Sequence, residues 1–328
     1  MPSQTEKKRS KSPARKGSQG SAVKQAMVHQ PAFVTPSLAV VAFVAVVGAV
    51  CASCLPTLEA LDAVATREAL TTSLLVDSKT LAAARGFGAV IIFSTTTVVF
   101  FKEDSVDVTY VPGSKLKNCR VRLIHGTTLI FFTVWSWLLL GAYLATAAWL
   151  GIARDDMAGL LRLNYILWAL AAPNALLTTV VITFAIWPHL KMQGASAGMR
   201  KTHVLMMHNL NTIFVVANLF TSSTPLHLAH APVAPLLGVT YIVFAWVIAP
   251  FIAPEHGSVY FYFFFDPTLG IKYGLLALCA LLASLLLFYS ITAGLAIVLE
   301  QASIFGVPLS VQAPALVFIT AGICRVRD

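Results

Sequence analysis

The chain has 328 residues, of which 57% are hydrophobic and 11% charged, and its mean hydropathy is +0.78. A soluble domain has about 45–50% apolar and about 25% charged residues, so this composition excludes an ordinary soluble protein and predicts a polytopic membrane protein. The net charge of +9 does not indicate a nucleic-acid partner, because seven of the 23 Lys and Arg residues lie between Lys7 and Lys24.

The N-terminal segment, residues 1–33, is rich in Ser, Lys, Gln and Pro and has little apolar surface to bury, which predicts a disordered basic tail. An apolar run follows at residues 37–55. It lies behind an unusually long basic leader, which favours an uncleaved signal anchor over a signal peptide. We therefore expect two parts, the tail and a transmembrane bundle over residues 34–328.

Seven further runs have the length and the low charge that about 30 Å of hydrocarbon demands of a helix. The predicted fold class is all-α, a polytopic transmembrane helical bundle with seven to eight membrane helices. The last run contains Pro308, Gln312 and Pro314, and the count is seven if that run does not cross. The seven runs are 86–101, 128–151, 163–187, 203–220, 232–253, 273–299 and 303–324.

The distribution of Lys and Arg between alternate loops predicts the orientation. With a cytosolic N-terminus, eighteen lie on the cytosolic side and five on the other. The eighteen are seven in the tail, five at 102–122, three at 191–201, and Lys272, Arg325 and Arg327. The five are Arg67, Lys79, Arg85, Arg154 and Arg162. This asymmetry favours a cytosolic N-terminus in the endoplasmic reticulum or the plasma membrane.

Ligands for a metal are scarce in the sequence. The five cysteines are scattered, and the pair Cys51 and Cys54 lies among small apolar residues, which favours packing over redox chemistry. His227 and His230 are spaced like two metal ligands, but no third ligand with suitable spacing follows. We predict no metal site.

The stretch "LMMHNLNTIFVV", residues 205–216, places polar side chains inside a membrane run. At 100° per residue His208, Asn211, Thr212 and Asn218 share one helix face. Burying them in hydrocarbon without partners costs several kcal/mol, so this face is expected to look into the bundle or into a wet cavity.

Two other runs offer matching groups. "IFFTVWSW" contains Thr133 and Ser136 one turn apart, and Asn174 follows a proline that frees backbone carbonyls. Thr133 and His208 both lie about six residues, or roughly 9 Å, into their runs from the same side. A hydroxyl beside an imidazole is the minimum for nucleophilic acyl transfer.

Each of these residues also has a structural interpretation. A membrane threonine commonly bonds its own i−4 carbonyl, and histidine or asparagine can hold helices together by hydrogen bonds. The aromatic run "VYFYFFF" is typical of an interfacial belt, and it could also line an acyl-chain entrance. Asp266 follows this run on the predicted cytosolic side and is a candidate binding residue.

The order of "FFTVWSWLLLGAYL", "HNLNTIF", "HLAHAPVAPLLGVTYIVFAW" and "VYFYFFFDPTLG" resembles the androgen-induced protein superfamily, especially its rolling stone-like branch, over about residues 123–298. The resemblance implies a transmembrane threonine hydrolase of fatty acid esters of hydroxy fatty acids, with no cofactor. It implies a nucleophile at Thr133. The family's two histidines fall on His208 and, at the catalytic position, on Asn211, which cannot act as a general base.

Two hypotheses follow. In the first, Thr133 attacks a lipid ester and His208 assists, with Asn174, Asn211, Thr212 and Asp266 as binding residues. In the second, the protein is catalytically silent, and its polar face binds a membrane lipid or a partner helix. A solute carrier is less favoured, because we find neither an internal repeat nor a buried acid or base for ion coupling.

Overall fold

A computed structural model describes residues 34–73, 75–153, 157–192, 196–222 and 224–324. The predicted tail lies outside these residues, as do Arg154, Arg325 and Arg327 of the charge count. The helices are α1 (Leu38–Ser53), α2 (Leu58–Val64), α3 (Arg67–Thr71), α4 (Ser78–Phe101), α5 (Phe132–Ile152), α6 (Ala158–Val181), α7 (Trp187–Met192), α8 (Thr202–Leu205), α9 (Asn211–Thr221), α10 (Val233–Ile252), α11 (Ile271–Ile304) and α12 (Leu309–Ile323).

Within the described chain, six helices are long and apolar enough to cross a membrane, as a multi-pass membrane protein requires. They are Ser78–Phe101, Phe132–Ile152, Ala158–Met192, Thr202–Thr221, Leu228–Ile252 and Ile271–Ile304. The predicted count of seven to eight is not confirmed, because α1 and α12 have only 16 and 15 residues. At 1.5 Å per residue, both fall short of about 30 Å. The count reaches seven if α1 and α2, which meet at 62°, form one broken span.

A small antiparallel hairpin departs from the predicted all-α class. Strands β1 (Asp104–Val108) and β2 (Cys119–Leu123) pair in a register that places Asp104 opposite Leu123. The segments "DSVDV" and "CRVRL" alternate polar and apolar residues, the pattern of a half-buried strand. The sequence prediction places residues 102–122 only in a cytosolic connection with five Lys and Arg, because charged residues dominate this segment.

The helices pack most closely where glycine removes a side chain. A Cβ on Gly141 of α5 would lie 2.6 Å from the Ile92 side chain of α4, and a Cβ on Gly238 of α10 would lie 2.4 Å from Leu285 of α11. Small residues allow membrane helices to approach in this way. The interior between α5 and α6 is filled by fully buried aromatic side chains, among them Trp137, Tyr143 and Trp168.

Candidate functional site

Helices α5 and α9 run in the same direction and meet through long side chains. Trp137 stacks on Phe214 at 6.3 Å between ring centroids, and further along both helices Asn218 donates a 2.9 Å hydrogen bond to the Tyr143 hydroxyl. One heptad before this hydrogen bond, about 10 Å along each helix, lie Ser136 and Asn211. From the heptad spacing we infer that these two residues lie at the same level of α5 and α9.

Helix α6 also passes the level of Ser136 and Asn211, and it runs in the opposite direction to α9. The Thr179 hydroxyl donates a hydrogen bond to the backbone carbonyl of His208, whereas Trp168, earlier on α6, contacts Tyr143. The chain of α6 thus runs antiparallel to α9. Thr178 lies at the level of His208, and Asn174 lies one turn closer to Trp168, near the level of Asn211.

The side chains at this level have polar atoms that are buried and lack a hydrogen-bond partner. We call these five residues the polar seam. The atoms are Oγ of Ser136, Oδ1 of Asn174, Oγ1 of Thr178, Nδ1 of His208 and Oδ1 of Asn211. The neighbouring Thr212 is also buried, and its hydroxyl hydrogen-bonds to the Cys324 thiol. Buried polar atoms are normally satisfied, and a cluster of exceptions needs an explanation. The polar face predicted from the sequence is therefore internal, as expected.

Two π-helical turns flank this level. Ile182–Ile186 joins α6 to α7, and Met206–Leu210, which contains His208, joins α8 to α9. A single π turn inside a helix widens the backbone and is frequent at functional sites. The turn also breaks the 100° spacing used to place His208 on the helical wheel, so the angle between His208 and the α9 residues differs from that of an ideal helix.

Each asparagine of the seam donates a hydrogen bond through the Nδ2 group of its amide. Asn211 donates through Nδ2 to the Met207 carbonyl at 2.7 Å, and Asn174 donates to the Leu170 carbonyl at 2.6 Å. Both Oδ1 atoms stay unpartnered. These local bonds fix the two side chains against their own helices and leave an acceptor of each directed away from the backbone.

Thr133 lies in the first turn of α5 beside an aromatic cluster from another part of the chain. Burial raises the pKa of Tyr262 to about 12, although hydrogen bonds with the Phe132 backbone, Tyr241 and Thr133 act to lower it. The hydroxyl of Thr133 thus has a partner in Tyr262. The described contacts tie His208 to Thr179 and Thr133 to Tyr262.

Ser136 is the hydroxyl that the helix register brings to the seam. It is 1% exposed, and its Oγ makes no hydrogen bond. In the sequence Ser136 lies one turn from Thr133, and the resemblance implies Thr133 as the nucleophile instead. A sequence signal for Ser136 does exist. Ser136 precedes Tyr143 by seven residues, and Asn211 precedes Asn218 by the same number.

Asp266 is buried in a separate hydrogen-bonded turn. Its carboxylate accepts hydrogen bonds from Ser114 Oγ at 2.5 Å and from Thr268 at the backbone nitrogen (2.8 Å) and at Oγ1 (2.7 Å). These bonds join the loop between β1 and β2 to the segment before α11. Its predicted binding role stays a prediction, and its contacts are those of a loop anchor.

Arg85 is a buried charged residue for which the sequence pattern predicts a loop position on the non-cytosolic side. It lies in the second turn of α4 and is 4% exposed. It donates from Nε to Asn218 Oδ1 (3.0 Å), from Nη1 to the Leu70 carbonyl (2.7 Å), and from Nη2 to Tyr143 and Thr224. The sequence pattern predicts the beginning of this helix at residue 86, whereas the helix begins eight residues earlier at Ser78, with Asp77 as its N-cap. The expectation of no buried base is therefore wrong.

His230 has the partner that His208 lacks. Its Nδ1 and the Tyr165 hydroxyl are hydrogen-bonded at 2.5 Å, and its ring lies 5.7 Å from that of His227. Within the described residues, no group of three or more His, Cys, Asp or Glu side chains is arranged to hold a metal ion.

Comparison with known proteins adds no relative. No family model matches the chain, and no curated protein or solved structure gives a significant match.

Proposed function

We propose that the protein binds the ester group of a membrane lipid in its polar seam. The observation that carries this proposal is the set of buried, unpartnered polar atoms on three neighbouring helices. Each such atom in an apolar medium costs about 1–3 kcal/mol, and a polar guest offsets this cost. An ester suits the seam, because its carbonyl accepts hydrogen bonds from hydroxyl donors while its chains stay in apolar surroundings.

The Lys and Arg asymmetry supports an orientation for this site. With a cytosolic N-terminus, the seam lies in the cytosolic leaflet, since His208 is about six residues from the beginning of its span at Thr202. The proposed location is the endoplasmic reticulum or the plasma membrane, with membrane lipid as the partner. The resemblance to the androgen-induced superfamily stays part of this proposal.

Hydrolysis of the bound ester is the second candidate function, and the unpartnered Nδ1 of His208 favours it. In a neutral imidazole, one ring nitrogen is an acceptor and can take the proton of an attacking hydroxyl. The hydroxyl oxygen forms a bond to the ester carbonyl, the alkoxide leaves with the proton, and water then releases the acyl group. Thr133 is the nucleophile implied by the resemblance, and Ser136 is the one implied by the helix register.

The other seam residues have roles in either case. A hydroxyl donor such as Thr178 can hold the carbonyl oxygen of the ester, and in hydrolysis the same donor would stabilise the oxyanion. The free Oδ1 of Asn211 is an acceptor and an ester has no donor, so this atom makes no hydrogen bond to the ester, and a neutral amide is not a base. Because Asn211 lies where the resembled family has its catalytic histidine, binding without turnover is the primary proposal.

Binding is tested with the full chain in lipid nanodiscs. A fluorescent long-chain ester is displaced by an unlabelled ester and by the matched ether, which lacks the carbonyl. We expect the ester to compete at least tenfold better than the ether. Ser136→Ala and His208→Leu should abolish this preference. Ser290→Ala is the matched control, because Ser290 is an exposed membrane serine that bonds its own i−4 carbonyl. Equal competition by ester and ether would refute the proposal.

Turnover is tested separately with a fluorophosphonate probe and a branched fatty acid ester. Loss of labelling in Thr133→Ala but not in Ser136→Ala assigns the nucleophile to Thr133, and the reverse assigns it to Ser136. A folded protein that binds the ester but neither labels nor turns over would remove hydrolysis and keep binding.

A further inference from the structure

Asp266 is a buried carboxylate without an ion-pair partner in the described chain. It is 3% exposed, and no Lys, Arg or His among the described residues forms an ion pair with it. Its hydrogen-bond partners, Ser114 and Thr268, are neutral. A buried charge is normally paired, because its transfer out of water is costly. The loop-anchoring bonds therefore account for the position of Asp266 but do not neutralise its charge.

The two hydroxyl groups beside Asp266 both donate to its carboxylate. The Ser114 oxygen accepts from the backbone nitrogen of Leu116 at 3.0 Å, and the Thr268 oxygen accepts from that of Lys115 at 2.9 Å. Each hydroxyl is thus free to donate its own proton to Asp266. With the Thr268 backbone nitrogen, the carboxylate accepts three hydrogen bonds, whereas an ionised carboxylate has about four acceptor sites. One acceptor site remains for a further donor.

A cavity lies beside Asp266 where three helices begin or end. Its wall includes Ser37 at the beginning of α1, Trp246 in the last third of α10, and Gly270 at the beginning of α11. The cavity volume is about 20 Å³. One water-sized group needs about 10–15 Å³, so the cavity accepts a small group only. A Cβ at Gly270 would meet no heavy atom within 4 Å, which leaves this side open.

The wall of the cavity combines a negative charge, aromatic rings and a free donor. The rings of Trp246, Phe264 and Phe265 border the same space as Asp266, and aromatic faces attract cations. The indole Nε1 of Trp246 is buried and has no hydrogen-bond partner. An indole N–H only donates, so it requires an acceptor. A cation that is joined to an acceptor oxygen would satisfy both Asp266 and Trp246.

We propose that this cavity binds a primary ammonium group joined to a phosphate, as in the ethanolamine headgroup of a phospholipid or in free phosphoethanolamine. The ammonium donates to Asp266, and a phosphate oxygen accepts from Trp246 Nε1. A trimethylammonium group fits less well, because its methyl groups replace the N–H donors and need more space. No residue of the polar seam lines the cavity, so this site does not depend on the proposed lipid-ester site.

The test measures thermal unfolding of the purified full chain in detergent micelles to which one lipid is added. Dioleoyl phosphatidylethanolamine should raise Tm by about 2–4 °C and then saturate. Dioleoyl phosphatidylcholine, which differs only by three methyl groups, should raise Tm less than half as much. Free phosphoethanolamine and phosphocholine form a second pair, and a preference in this pair alone assigns the site to a soluble ligand. No ethanolamine preference in either pair would overturn the proposal.

Variants locate the response. Asp266→Asn should abolish the ethanolamine preference, and Asp77→Asn should keep it. Asp77 is the matched control, because its carboxylate also accepts from the backbone nitrogen and hydroxyl of a threonine, Thr80, but is exposed. An unchanged preference in Asp266→Asn would overturn the proposal.

A second variant covers the case in which Asp266→Asn does not fold. Trp246→Phe keeps an aromatic ring and breaks no side-chain hydrogen bond of the described chain. It should raise the half-saturating concentration of phosphatidylethanolamine, or of phosphoethanolamine if the site takes the soluble form, at least threefold. An unchanged half-saturating concentration in this variant would also overturn the proposal.

Discussion

His230 and His208 are two histidines in membrane-spanning helices with opposite surroundings. Nδ1 of His230 is hydrogen-bonded to the Tyr165 hydroxyl at 2.5 Å, and Tyr289 donates to the backbone carbonyl of His227 nearby. Nδ1 of His208 is buried without a partner. The same residue type thus appears once inside a completed hydrogen-bond network and once with an acceptor or donor still available.

This difference separates a structural from a functional interpretation. Hydrogen bonds between helices account for His230, and removing a partner from such a network leaves a buried polar atom unsatisfied. His208 contributes no side-chain bond through Nδ1, so helix packing alone does not explain its retention. The variants below test this contrast, in order of decreasing effect.

Tyr165→Phe should destabilise the protein by about 1–3 kcal/mol, because it leaves Nδ1 of His230 buried without its partner. Thermal unfolding in detergent measures the change. Tyr273→Phe is the control, since Tyr273 is 38% exposed and should change stability by less than about 0.5 kcal/mol. Equal stability of both variants would contradict the structural role of His230.

His208→Leu should leave the free energy of unfolding unchanged or raise it by up to about 1 kcal/mol, because it removes an unsatisfied polar atom from an apolar site. The same variant should weaken lipid-ester binding at least tenfold. Unfolding and ester displacement are measured on one preparation. A loss of stability as large as that of Tyr165→Phe would remove the contrast between the two histidines.

Ser136→Ala and Thr133→Val distinguish the two hydroxyls at the beginning of α5. Thr133→Val breaks the hydrogen bond to Tyr262 and should cost about 0.5–1.5 kcal/mol. Ser136→Ala breaks no hydrogen bond and should cost less than about 0.5 kcal/mol while reducing ester binding. The reverse order of stabilities would show that Ser136, not Thr133, is the structural hydroxyl.

The smallest effect is expected outside the membrane, at the ion pair of Asp104 with Lys201. Burial tends to raise the pKa of Asp104, but hydrogen bonds from Lys201 and the Ser105 backbone and the charges of Lys201 and Lys102 lower it overall. A lowered pKa in the folded state stabilises the protein above about pH 3.9, and this contribution is lost as pH falls through the folded value.

Asp104→Asn should therefore cost less than about 1 kcal/mol at pH 7, because the pair is partly exposed. The difference from wild type should disappear in unfolding measurements once the pH falls below the lowered pKa of Asp104 in the folded protein. A difference that persists at low pH would show that the carboxylate charge is not the cause.

Six of the eight predicted membrane runs are helices long and apolar enough to span, because hydrocarbon imposes a length and a composition that a single run of residues displays. The ends of the spans could not be predicted from the sequence. Arg85 was assigned to a loop because charge marks loops in sequence, and only neighbours from α3, α5 and α9 make its burial tolerable. The β1–β2 hairpin was missed because charged residues occupy its exposed face.

The candidate site was predictable only in part. The polar face around His208 and Asn211 follows from helical spacing, and its orientation into the bundle follows from the cost of burial. The position of Ser136 at this face depends on the register between α5 and α9. The hydrogen bond between Tyr143 and Asn218, which are 75 residues apart in sequence, fixes that register. No local pattern encodes such a contact.

Photo-crosslinking with a lipid ester that carries a diazirine beside its carbonyl tests the central claim most directly. The account predicts labelled peptides from α5, α6 and α9 that contain seam residues, and the loss of this labelling in His208→Leu. Labelling confined to lipid-facing residues such as Leu276 and Leu287 of α11, and unchanged in His208→Leu, would contradict it.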